Sequence, residues 1–91
     1  MNITSESLIA QVNQYISEII SINMHLEKKD TRLPHLKLLQ QKVRIKLTHF
    51  QTALDQLKYS QHSGATLKQI AQHLSNSFSQ IVKEAHRLLQ I

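Results

Sequence analysis

Residues 36–88 read LKLLQQKVRIKLTHFQTALDQLKYSQHSGATLKQIAQHLSNSFSQIVKEAHRL, and two apolar ladders run through them. One is Leu36, Leu39, Val43, Leu47, Phe50, Leu54 and Leu57; the other is Leu67, Ile70, Leu74, Phe78, Ile81, Ala85 and Leu88. Both climb by steps of three, four, four, three, four and three residues. That is the spacing of one face of an α-helix. Between the ladders lies Ser60-Gln61-His62-Ser63-Gly64-Ala65, which holds the only glycine in the chain. Two long amphipathic helices joined by so short a turn bury their apolar faces only by lying antiparallel.

The first third of the chain adds another helix of the same kind. Leu8, Val12, Tyr15, Ile19, Ile22 and Leu26 form its ladder, and Ile9, Ile16 and Ile20 widen the stripe enough to touch two neighbours. Thr4 or Ser5 suits the N-cap, with Glu6 well placed against the helix dipole. The polar run Glu27-Lys28-Lys29-Asp30-Thr31 marks a turn. Asp30 or Thr31 is the expected cap of the second helix, with Pro34 in its first turn, where a missing N–H costs nothing. Thr66 followed by Gln69 reads as a capping box opening the third. The expected fold is therefore all-α, an antiparallel three-helix bundle with long amphipathic helices at roughly 5–28, 33–60 and 66–90, filling 1–91 as one domain. No glycine, asparagine or proline stops the third helix between Glu84 and Ile91. Such an unterminated helix either frays at a natural terminus or, as the favoured expectation, belongs to the N-terminal domain of a longer protein.

Composition narrows the chemistry. The 91 residues include one glycine, one proline and 41% hydrophobic residues, which suits a helical globular domain. Four aromatics, Tyr15, Phe50, Tyr59 and Phe78, leave most of the core to Leu and Ile. No cysteine is present, so disulfides and thiolate metal sites are excluded. No apolar run approaches the roughly 20 residues of a membrane span. The segment from Met1 to Glu6 is polar and acidic, unlike a signal peptide, so a cytoplasmic location is expected. Six histidines (25, 35, 49, 62, 73 and 86) include no pair at i, i+3 or i+4, and no carboxylate cluster accompanies them. No metal site or other cofactor is expected. Six scattered acidic residues and a lone glycine offer neither paired acids nor a phosphate-cradling loop, so no enzyme is expected.

The net charge is +5. Arg32, Lys37, Lys42, Arg44 and Lys46 crowd the second helix, with no acidic residue between Asp30 and Asp55. At about 100° per residue, with Lys37 as zero, Arg44 falls at about 340°, Lys42 at about 140° and Lys46 at about 180°. The apolar ladder centres at about 240° on the same wheel. The cations straddle the core stripe on both flanks and make no single focused patch. Such flanks fit either an ordinary solvated face or a contact surface for an acidic partner or a phosphate backbone. Helix-turn-helix readout does not suit long antiparallel helices. Of the aromatics only Tyr59 lies off the ladders, so single-stranded DNA binding by this segment alone is expected to be weak. Ile9, Ile20, Leu38 and Ile45 also lie off the main ladders and offer a secondary apolar patch to a partner helix, unless they pack between helices or sit singly on the surface.

The third helix carries a resemblance. Leu67-Lys68-Gln69-Ile70-Ala71-Gln72-His73-Leu74, with Phe78 and then Ile81-Val82-Lys83-Glu84-Ala85, resembles the N-terminal domain of the PriC family, the bacterial primosomal replication protein N″. The likeness rests on Ile70-Ala71-Gln72-His73-Leu74 followed by Ile81-Val82-Lys83-Glu84-Ala85, and extends over about residues 8–88. It implies a non-enzymatic DNA-replication restart factor that helps reload the replicative helicase at stalled forks. Its implied partners are that helicase and the single-stranded DNA-binding protein (SSB), with no membrane and no small-molecule substrate. In that family a basic C-terminal part carries much of the DNA and SSB binding, and it has no counterpart here. The possible contact residues on this chain, Arg32, Lys37, Lys42, Arg44, Lys46 and Tyr59, come from charge geometry and not from the resemblance. The alternative reading is a small helical chaperone or adaptor that covers an amphipathic helix of a partner protein.

Overall fold

The computed structural model describes residues 4–29 and 32–89. Three helices follow in order: α1 at Ser5–Glu27, α2 at Pro34–Tyr59 and α3 at Gly64–Leu89. They pack as an antiparallel three-helix bundle about 45 Å long and 22 by 16 Å across. The α2–α3 register is read from Lys42 against Glu84 and His49 against His73. Tyr15 of α1 lies against both Phe50 and Phe78, which places α1 alongside both other helices.

Each boundary has a local cause. Thr4 caps α1: its Oγ1 accepts from the Ser7 N–H at 3.1 Å, and the Ser7 Oγ accepts from the Thr4 N–H at 3.1 Å. That is a reciprocal capping box completed by Ser7, three residues on. Leu33 occupies the N-cap position of α2 without a side-chain hydrogen bond, and Pro34 sits in the first turn as expected. The expected caps Asp30 and Thr31 lie outside the described residues. At α3 the expected cap is displaced. Ser63, not Thr66, is the capping residue: its Oγ accepts from the Thr66 N–H at 3.2 Å, and its carbonyl accepts from Leu67 at 2.9 Å. The helix therefore starts at Gly64, two residues before the expected Thr66. The turn shrinks to residues 60–63, and the glycine belongs to the helix it was expected to precede.

The core follows the ladders with one rotation. Leu8, Val12, Ile19, Ile22 and Leu26 are buried on α1, and six of the seven α2 ladder residues are buried, Leu47 being half-buried. On α3, Leu67, Leu74, Ile81 and Ala85 are buried as expected, whereas Ile70, Phe78 and Leu88 are half-buried. Ser77 and Leu89 are buried beside them. A helix in a three-helix bundle serves two interfaces, so its buried stripe is wider than one ladder. Three of the four aromatics meet at the centre, one from each helix. The Tyr15 and Phe78 rings stack at 4.2 Å, and Phe50 approaches Tyr15 at 5.8 Å and Phe78 edge-on at 6.5 Å. Such offset and edge-to-face pairs add about 0.5–1.5 kcal/mol beyond the area they bury.

Candidate functional site

The antiparallel register sets one flank of α2 against one flank of α3, and a groove runs between them. Three depressions mark this side of the bundle, two of them between the helices. The first, about 290 Å³, is lined by Lys42, Ile45, Lys46, Gln80, Ile81 and Glu84. A shallow second one, lined by Arg44, Ile45, Thr48 and His49, lies on the outer face of α2 alone and shares Ile45 with the first. The third, about 280 Å³, shares His49 and is floored by Ala53, Leu57, Ile70 and Leu74, with Gln56, Gln69 and His73 at its rim. From Lys42 to Leu57 the groove follows α2 for about 22 Å, or four helical turns.

Its floor is apolar because it is the edge of the core. Its rim is basic at the Lys42–Lys46 end, whereas no lysine or arginine lines the third depression. Glu84 is the only carboxylate lining any of the three depressions, and Lys42 pairs with it at 2.8 Å. Lys46 donates to the hydroxyl of buried Ser77 at 2.6 Å, which partners the one polar side chain buried among the described core residues while leaving the ammonium charge in place. Among the described residues no carboxylate pairs with Lys46, and Arg44 adds another charge on the outer face. Ile45 stands between them, 67% exposed, the most exposed of the large aliphatic side chains among the described residues.

The six candidate contact residues do not gather into one patch. Lys42 and Lys46 reach across to α3, while Lys37 and Arg44 are exposed on the other side of α2 with no side-chain partner among the described residues. Arg32 is exposed just ahead of α2. Tyr59 is 84% exposed at the far end of the helix, about 25 Å along the axis from Lys42. Of the four off-ladder aliphatics, Ile9 packs against the core, whereas Ile20, Leu38 and Ile45 are exposed. Sequence reasoning missed His49, His73, Gln56 and Gln69 as groove residues. The cross-helix register would have found them, since reading the second ladder backwards against the first pairs Val43 with Ile81 and Phe50 with Leu74, and so brings His49 to His73.

Among the described residues no three His, Cys, Asp or Glu side chains gather as a metal cluster. No helix among them is long and apolar enough to cross a membrane. The fold and site together define an antiparallel three-helix bundle with an apolar groove whose rim is basic at one end. No protein-family model, curated protein or solved structure matches the chain.

Proposed function

We propose that this domain is a non-enzymatic docking module whose α2–α3 groove receives an acidic amphipathic helix of a partner protein. The observation that carries this reading is the groove itself. Apolar side chains line both depressions between the helices, Ile45 is exposed beside the first, and Lys42 and Lys46 outnumber the single Glu84 around it. Helix-in-groove recognition uses such a surface, with apolar anchors at helical spacing and a charge pattern that sets orientation.

The resemblance to the PriC family supplies the setting: replication restart in the bacterial cytoplasm, with the replicative helicase and the single-stranded DNA-binding protein as partners. The chaperone or adaptor reading uses the same groove on a different client, and the partner separates the two. The purified chain is immobilised and challenged with bacterial replicative helicase and with SSB. Retention of either one, lost by at least tenfold in Ile45→Glu while the melting midpoint stays within about a degree, supports the restart role. Retention of neither by a folded chain overturns it. Because Ile45 is largely solvent-exposed, its replacement leaves the core intact.

A further inference from the structure

The bundle joins two histidines that the sequence holds far apart. The rings of His49 on α2 and His73 on α3 lie with centroids 5.7 Å apart and planes at 64°. Both are exposed, and both line the third depression, beside the carboxamides of Gln56 and Gln69. No carboxylate lines that depression. A metal bound at about 2.1 Å to one nitrogen of each ring at a tetrahedral angle would hold the centroids about 5.2 Å apart. The observed spacing exceeds that by about 0.5 Å. The bond from Lys46 to Ser77 on one side ties the two helices in that register, and Ala53 and Ile70 line the same depression on the other.

We propose that His49 and His73 form a cross-helix two-imidazole site for a borderline divalent transition metal, with water in the remaining positions. Imidazole donors without carboxylates select Zn²⁺, Ni²⁺ or Cu²⁺ over Mg²⁺ and Ca²⁺. The open depression leaves room for the waters, and a metal there clamps α2 to α3. The inference is independent of the docking role, because its test uses metal alone.

The test is thermal unfolding of the untagged chain with Zn²⁺, followed by calorimetric titration. A ligand that binds only the folded state at a hundred times its dissociation constant raises the melting midpoint of a domain this size by about 10 °C or more. That rise is expected for the parent and for His35→Ala, and is lost in His49→Ala and in His73→Ala. Both rings are exposed, so these variants fold, and their metal-free midpoints should match the parent. One Zn²⁺ per chain is expected in the titration, and Ca²⁺ should produce no shift. A parent that does not respond to Zn²⁺ overturns the site. So does a response that survives both alanine variants, an equal response to Ca²⁺, or one metal per two chains.

Discussion

Leu74 is 1% exposed and stands midway along α3, facing the groove floor on one side and the core on the other. Truncating it removes a buried isobutyl group and leaves a cavity that rigid helices close only in part. Leu74→Ala should cost ~2–5 kcal/mol in chemical denaturation, with a parallel drop in midpoint. A variant that unfolds like the parent would show that this side chain faces no core. Ser77, three residues on, shows the limit of ladder reading: a serine in an apolar stripe is buried because the Lys46 ammonium crosses from α2 to meet its hydroxyl. The lysine's methylene stem covers apolar surface on the way. Position on the wheel placed Lys46 on a flank. Nothing in the run Arg44-Ile45-Lys46 told whether it would reach a partner helix or open solvent.

At the scale of elements, caps decide where the helices begin. Thr4 satisfies the first turn of α1 and Ser63 that of α3, whereas Leu33 brings no side-chain acceptor to α2. Gly64 follows the Ser63 cap directly, and a Cβ built there meets nothing within 4 Å. The glycine thus holds flexibility in the unfolded chain that the folded chain does not use. Gly64→Ala should raise stability by about 0.4–1 kcal/mol, read as a higher denaturant midpoint with an unchanged slope. Loss of stability would mean that the backbone at 64 resists a side chain. The helix spans were legible to within two residues at the described ends, because amphipathic period and polar breaks are local signals. The exact start of α3 was not. Ser63 and Thr66 are both good caps three residues apart, and the choice depends on which one allows Leu67 to enter the core.

Across the whole molecule, charge is the property that matters most for partners. The cations of α2 are divided: Lys42 and Lys46 lean over α3, and Lys37 and Arg44 face the other way. Phe50 and Phe78 sit with Tyr15 in the bundle centre, which leaves Tyr59 as the single outlying aromatic. A divided field with one stacking platform binds single strands poorly. Fluorescence anisotropy should find no submicromolar, salt-sensitive binding of single-stranded DNA by this chain. Such binding, if measured, would require a cationic track that the α2 flanks do not make.

The amino-acid sequence by itself determined three helices, their apolar faces and their antiparallel order, because the 3.6-residue period and turn chemistry are properties of contiguous segments. It also determined the basic balance and the absence of thiolate chemistry. Only the tertiary structure decided which flanks meet. The groove from Lys42 to Leu57, the Lys46 bond to Ser77 and the approach of His49 to His73 depend on the rotation of each helix about its axis. That rotation is settled by how Tyr15, Phe50 and Phe78 fit together at the centre, a three-body packing problem that no single ladder encodes.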